Sequence, residues 1–328
     1  MESHKTPQNM AAIKIFLFTY KRNHLLPRSV QSIISQHFTD WVCELHNDHP
    51  ADTFPAQYID TLHDSRFTVV NHATNLGGVA TFNIPFEQNF AEPYFTILED
   101  DNWWEPDFLH TMMHHMASHH QVNYSWANMY LWQEEQGNNW QNTLKTTWPA
   151  NTAEVTLFHF GHPKQFMSHL HSNGAMLMRN TPHKSRLITP THHRQDFMEH
   201  YRERHMTYPI MLVHKPLANF AITLSSYRKV DVKSYNAHIY NNMITFAELI
   251  NIDHQKAQNI LQYYDNNTNL RYRHHIIHAA MHHTQCRIFL QFMTLSDYFY
   301  YIAWIIKSSL SSIKNNIAQT KNNAYILN

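Results

Sequence analysis

Residues Ile13 to Thr19 read IKIFLFT, a run of β-branched, aromatic and leucine side chains that is too short for an ordinary helix. It closes on the polar Tyr20-Lys21-Arg22-Asn23 and predicts a buried strand. Similar runs recur at Trp41 to His46, which leads into the turn cluster Asn47-Asp48-His49-Pro50, at Phe67 to Asn71, and at Tyr94 to Leu98. Glu99-Asp100-Asp101-Asn102 follows the last of these at once. The segments between them have helical spacing. His24 to His37 places Leu25, Leu26, Val30, Ile33 and Ile34 three and four apart, with Pro27 where a first turn accepts it. A helical stretch precedes Phe67, another runs from Val79 to Phe90, and a third from Pro106 to about His119. Strands alternating with helices in this order call for an α/β fold with a mainly parallel, doubly wound sheet.

The pattern then loosens. Tyr124 to Phe160 combines aromatic-rich strands, Trp126 to Trp132 and Val155 to Phe160, with a polar loop around Gly137-Asn138-Asn139. Gly174 to Arg179 reads as a short strand, Gln195 to Arg204 as a helix, and Pro209 to Val213 as a strand. The character changes near Tyr235, and from about Asn241 the spacing is helical only. The expected division is therefore residues 1–234 as one domain and residues 235–328 as a helical C-terminal extension.

Composition narrows the classes of function. Twenty-five basic and 25 acidic residues give zero formal charge with histidine neutral. Without a basic block, DNA and RNA are not expected partners, because such binding rests on neutralising phosphates with Lys and Arg. The two cysteines, Cys43 and Cys286, have neither disulfide-framework nor zinc-finger spacing. Met1 to Met10 lacks the layout of a signal peptide, so the cytoplasm is the expected location.

In a doubly wound sheet, ligands bind outside the carboxyl ends of the strands. Those ends carry Thr19-Tyr20-Lys21-Arg22, then Asn47-Asp48, then Asn75-Leu76-Gly77-Gly78, then Glu99-Asp100-Asp101. A ring, a carboxylate, a glycine that allows close backbone approach and a carboxylate triplet together suit a nucleotide held through a metal ion. Hard cations such as Mg2+ or Mn2+ take oxygen ligands, commonly one or two carboxylates together with substrate phosphates.

Five segments in this half resemble the family 2 glycosyltransferases, inverting enzymes of GT-A fold that use nucleotide-diphosphate sugars. They are IFLFTYKR from Ile15, SVQSIISQHFTDW from Ser29 to Trp41, HND ending at Asp48, NLGGVATFN from Asn75 to Asn83, and YFTILEDDNWWEPDFL from Tyr94 to Leu109. The resemblance implies a Rossmann-like, mainly parallel sheet flanked by helices. It implies that Thr19, Tyr20 and Arg22 line the nucleotide pocket, with Tyr20 near the base, and that Asp48 accepts from the uracil imide N–H. Asn47 stands where the family usually has the first aspartate of a pair. Asn75 and Gly77 would shape the loop near the nucleotide, and Asp100 would face the ribose or sugar. Asp101 would hold Mn2+ or Mg2+ directly, with Glu99 the loosest member of the triplet and His214 a candidate to complete the shell.

Inversion needs a base that takes the acceptor's proton. The resemblance implies Asp196 in HHRQDFMEHYRERH for that role, with Glu199 and Glu203 as rivals and Gln195 where an acidic neighbour is common. The implied partners are a nucleotide-sugar donor, probed first as a UDP-sugar, and a glycan or lipid-linked glycan acceptor of a bacterial-type surface polysaccharide. Two alternatives stand beside this reading. One is a non-catalytic carbohydrate- or nucleotide-binding relative of the same fold. The other is a nucleotidyltransferase, which calls for a glycine-rich loop after the first strand, where Tyr20 to His24 has no glycine.

The tail holds an apolar run from Tyr298 to Ile306, too short to span a bilayer, which needs ~20 residues. With Tyr298, Tyr300, Tyr301 and Trp304, and Lys307 and Lys314 following, it resembles a helix lying on a membrane, and packing on protein is the alternative. The 29 histidines fall mostly outside the motifs. Near pH ~6.5, where unperturbed imidazoles titrate, they would turn the chain positive and favour anionic membranes.

Overall fold

The computed structural model describes residues 11–136, 139–188, 203–204, 209–223, 232–267, 272–307 and 309. Contacts divide the chain into two units, Met1–His162 with His169–Asp231, and Pro163–Ser168 with Val232–Asn328.

The first unit is built on a ten-stranded sheet. Its strands are β1 Ile13–Thr19, β2 Trp41–Asn47, β3 Phe67–Asn71, β4 Tyr94–Glu99, β5 Trp103–Trp104, β6 Tyr124–Glu135, β7 Asn139–Thr146, β8 Val155–Phe158, β9 Met176–Arg179 and β10 Ile210–Ile222. The order across the sheet is β3-β2-β1-β4-β9-β6-β10-β5, with β7 paired to β6 and β8 to β10. β1 pairs in parallel with both β2 and β4, and β2 with β3. β9 runs antiparallel between β4 and β6, which brings β6 and its parallel partner β10 back into the direction of β1. Among the described residues, the helices α1 Leu26–Ile34, α2 Phe54–Leu62, α3 Gly78–Glu87 and α4 Phe108–Ser118 accompany this sheet.

β1 shows why the fold follows from the sequence. Its alternate residues Ile13, Ile15 and Leu17 enter a core with Leu26, Val30 and Ile33 of α1 and Leu109 and Met112 of α4. Phe16 and Phe18 enter the opposite core with Phe82 and Phe86 of α3. A strand covered on both faces has no need of polar alternation. Each of these side chains removed from water contributes about 1.5–3 kcal/mol.

The middle of the chain departs from expectation in three places. β7, NWQNTLKT, is a strand where the sequence marks only a polar loop around Gly137-Asn138-Asn139; it is polar because its described partner is β6 and its side chains stay partly or fully exposed. Trp103-Trp104 forms a two-residue strand on β10 that is too short to leave a periodic signal. β10 continues past Val213 to Ile222, with register shifts around Pro216 that let the ladder resume beyond the proline.

The second unit is helical, with α5 Val232–Ile250, α6 His254–Asn267, α7 Arg273–His282 and α8 at residues 295–307. Phe166 anchors its core against Phe246 and Phe289, with ring centroids 6.2 and 4.8 Å away. α8 lays Tyr300 and Trp304 on the His274 ring at 5.3 and 5.0 Å. Among the described residues no helix is long and apolar enough to cross a membrane.

Candidate donor site

Parallel pairing of β1 with β2 and β4 brings three strand ends to one place. The backbone continues the ladder there, with Asp48 N donating to Thr19 O and Asp100 N donating to Phe18 O, both at 3.0 Å. The side chains then close over it. Asp100 is buried, and its Oδ2 accepts from Thr19 Oγ1 at 2.7 Å and from the Tyr20 amide at 3.2 Å. Arg22 Nη1 donates to Asp100 Oδ1 at 3.1 Å and also to Asp101 Oδ2. Lys21 takes the left-handed φ of 57° that turns the chain from Tyr20 to Arg22. Tyr20 itself is 44% exposed, with its ring 5.8 Å from His49 in an edge-on arrangement.

Burial dominates the electrostatics. It raises the Asp100 pKa to about 6, against the opposing charge of Arg22 and with the help of neighbouring Asp101. Asp101 is raised for the same first reason, again opposed by Arg22. Arg22, helped at Asp101 by the charge of Arg28, thus leaves the buried Asp100 and the half-buried Asp101 under-compensated, and the ligand atoms they offer are oxygens. That donor set fits a hard divalent cation, which is commonly held by one or two carboxylates and completed by phosphates. Among the described residues no three His, Cys, Asp or Glu side chains assemble as a metal-holding group. Glu99 Oε2 accepts from Asn102 Nδ2 at 2.7 Å. His214 lies on β10, where its Nε2 meets Thr156 Oγ1 at 2.7 Å and Asn151 Nδ2 at 3.3 Å.

Asp48 is used differently from Asp100. Its Oδ1 accepts from the Leu76 amide at 2.8 Å and faces His72 Nδ1 at 2.8 Å; its Oδ2 accepts from the Gly77 amide at 3.0 Å and Asn75 Nδ2 at 3.1 Å. A carboxylate has about four lone-pair sites, and all are taken. Asp48 therefore fixes the 75–77 loop, in which Gly77 adopts φ 79° ahead of α3. Asn47 explains its own departure from the acidic pair: its Nδ2 donates to Asp52 O at 2.7 Å and Asn71 Oδ1 at 3.0 Å, which a carboxylate could not do.

Thr19, Tyr20, Arg22, Asp48, Asn75, Gly77, Asp100 and Asp101 thus form one hydrogen-bonded group at adjoining strand ends, with Glu99 beside it. Asp196 and Glu199 lie outside the described residues. Glu203 is buried, and its Oε1 accepts from the Leu170 and His171 amides and meets His171 Nδ1 at 2.9 Å.

Several contributors escaped the sequence reading. Ser29 Oγ bridges Asp100 O at 2.8 Å and Asn102 O at 2.6 Å from inside α1. Arg28 donates to Asp101 O at 3.0 Å while its guanidinium lies over the rings of Trp103 and Trp140 at 3.7 and 4.0 Å. Gly174 sits so close to the acidic turn that a Cβ there would stand 2.6 Å from Glu99 Oε2. Of these residues, Ser29 falls in SVQSIISQHFTDW and Trp103 in YFTILEDDNWWEPDFL, so those two segments carried part of the signal.

Residues 14–183 match the model of glycosyl transferase family 2. The chain belongs to that family. This family 2 chain is 27% identical over 129 residues to the "Putative colanic acid biosynthesis glycosyl transferase WcaA" of Escherichia coli strain K12. The match takes in 39% of the chain and 46% of WcaA, so less than half of that relative is spanned. Among solved structures it is similar to S. aureus TarS 1-349 in complex with UDP-GlcNAc, with TM-score 0.52 and 11% identity over 84% of this chain and 82% of that one. It is also similar to the mannosyltransferase PcManGT of Pyrobaculum calidifontis in complex with GDP-Man and Mn2+, with TM-score 0.51 and 11% identity over 94% and 88% of the two chains. At such identities the structural likeness is one of fold.

Proposed function

We propose that this chain transfers a sugar from a nucleotide-diphosphate donor, a UDP-sugar first among candidates, to a hydroxyl of a glycan or lipid-linked glycan in surface polysaccharide synthesis. The observation that carries the reading is the clasp of Thr19, Tyr20 and Arg22 on Asp100 and Asp101, facing the strand end where Asp48 holds the glycine loop. Family membership and the donors named in the TarS and PcManGT structures support it.

In this reading the exposed Tyr20 ring packs on the base, and the 75–77 loop borders the nucleotide. Asp101, with Glu99 nearby, is the candidate to hold Mn2+ or Mg2+; when bound, the cation offsets charge on the diphosphate leaving group. Asp196 takes the proton of the acceptor hydroxyl as its oxygen attacks the anomeric carbon, and the bond to the diphosphate breaks on the opposite face, inverting the configuration. Contact with a membrane that carries the acceptor is assigned to α8, whose Leu295, Phe299, Ile302 and Ile306 lie on one exposed stripe.

A thermal-shift screen of UDP, GDP, CMP and dTDP with and without Mn2+ tests the donor. The expected result is stabilisation by UDP that disappears with chelator or in Asp101→Ala; metal-independent binding counts against the acidic turn. Asp196→Asn is expected to bind UDP and lose turnover. Failure of turnover in the parent chain with every donor favours the non-catalytic relative.

A further inference from the structure

Behind the 75–77 loop runs a line of buried polar groups that the donor chemistry does not use. Glu44 Oε1 faces His46 Nε2 at 2.8 Å, His46 Nδ1 faces His72 Nε2 at 3.0 Å, and His72 Nδ1 faces Asp48 Oδ1 at 2.8 Å. The His46 and His72 side chains are 4% and 8% exposed, so little of either ring is open to solvent.

Each of the three contacts needs one proton between its heavy atoms. Two neutral imidazoles supply two. Neither carboxylate can be relieved of its contact. Burial tends to raise Glu44, but hydrogen bonds from His46 and Lys14 and the Lys14 charge outweigh it and lower its pKa to about 2. Asp48 has its remaining lone pairs on Asn75, Leu76 and Gly77. The charge count agrees: Lys14 Nζ bonds Glu44 Oε2 at 2.8 Å, so one extra proton on the pair makes Lys14, Glu44, the two histidines and Asp48 neutral together.

We propose that His46 and His72 share one proton beyond those of two neutral imidazoles, and that this proton holds Asp48, and through it the donor-binding 75–77 loop, in place. They are positioning residues for the donor, and the link to affinity rests on the donor reading above. When the proton leaves, either a carboxylate loses its donor or two nitrogen lone pairs confront each other at 3.0 Å. Where the lost proton is that of His72 Nδ1, Asp48 loses its donor, and where the inner nitrogens repel, His72 is pushed against Asp48; in both cases the loop loosens. Nucleotide affinity should therefore fall on the alkaline side as one proton is lost.

From β1, Phe16 and Phe18 cover the His46 ring with centroids 6.1 and 5.5 Å away. From the end of α3, Gln88 Nε2 reaches Glu44 Oε2 at 3.3 Å. The next charge beyond is Lys184, whose Nζ donates to Gln88 O at 2.6 Å and whose pKa burial, then Lys14, lowers to about 8.

The test uses the full chain labelled with 15N-histidine. Imidazole nitrogen shifts report the protonation of His46 and His72 from mildly acid to alkaline pH, assigned with His46→Phe and His72→Asn, while UDP binding with Mg2+ is measured over the same range. His46→Phe lets a neutral His72 donate to Asp48, and His72→Asn offers Asp48 an amide donor that does not titrate, so either variant removes the need for the third proton. The expected result is one imidazolium in the pair at neutral pH, whose loss coincides with a roughly ten- to hundredfold rise in UDP Kd. That rise should be flattened in whichever variants fold by circular dichroism. Two neutral imidazoles at every pH overturn the proposal, as does a UDP Kd with the same alkaline dependence in parent and variants. If UDP, GDP, CMP and dTDP all fail to bind at any pH, the donor reading falls and the link to affinity with it, while the nitrogen shifts still decide the proton count.

Discussion

Thr19 Oγ1 donates to Asp100 Oδ2 at 2.7 Å, joining the ends of β1 and β4 across 81 residues of chain. The bond is buried, and Asp100 depends on such donors because burial already raises its pKa to about 6. Thr19→Val keeps the shape and removes the donor. The expected cost is about 1–3 kcal/mol in urea unfolding together with a fall in sugar-transfer rate. Thr19→Ser should restore both, and a Thr19→Val protein as stable and active as the parent would show the bond to be dispensable.

The same carboxyl predicts a pH dependence with a definite sign. Its folded pKa, about 6, exceeds the ~3.9 of an unfolded aspartate, so the folded state binds the proton more tightly. Ionisation therefore costs the fold, and metal-free protein should gain stability from this group as pH falls from about 6 towards ~4. Asp100→Asn should lack that gain. Denaturation midpoints of the two proteins in chelator, compared over this window, isolate the contribution from the other carboxylates.

Gly174 has ordinary backbone angles, but its missing side chain makes room for the acidic turn. A Cβ there would stand 2.6 Å from Glu99 Oε2 and 3.0 Å from Asn102 Nδ2, the two atoms that bond each other at 2.7 Å. Gly174→Ala is expected to displace that pair at a cost of about 1–3 kcal/mol. Mn2+-dependent UDP binding should weaken severalfold while the circular dichroism spectrum holds, and an unchanged binding isotherm would show that Glu99 has no part in the donor site.

The exposed stripe of α8 predicts where a membrane would touch. Phe299 is 71% exposed and Ile302 52%. Phe299→Glu and Ile302→Glu should each reduce association with anionic vesicles without altering UDP binding, and association of the parent should strengthen at mildly acid pH. His275 is no source of that charge, because burial, then neighbouring His274 and His278, lowers its pKa to about 4. Equal sedimentation of parent and variants with vesicles would remove the stripe from the membrane reading.

Much of the first unit was legible because burial on both faces of a strand is written locally. IKIFLFT announces β1 without reference to any partner, and the same holds for β2 to β4 and the helices between them. The strand-end residues were legible as a group for a related reason: parallel pairing carries successive strand ends to one edge. β7 was not, since an edge strand with partly wet side chains looks like loop, and β10 reads only to Val213 because its ladder resumes through register shifts around Pro216.

The sequence alone determined the alternation of strands and helices, the clusters at the strand ends and the family they resemble, because periodicity and turn chemistry act over a few residues. Only the tertiary structure decided which groups complete one another. It set Ser29 and Arg28 of α1 on the backbone of the acidic turn, more than 70 residues away. It brought Gly174 beside Glu99, and it aligned Glu44, His46, His72 and Asp48 by placing β3 next to β2. Partners so distant in sequence leave no spacing to read; their meeting is a consequence of sheet order and close packing.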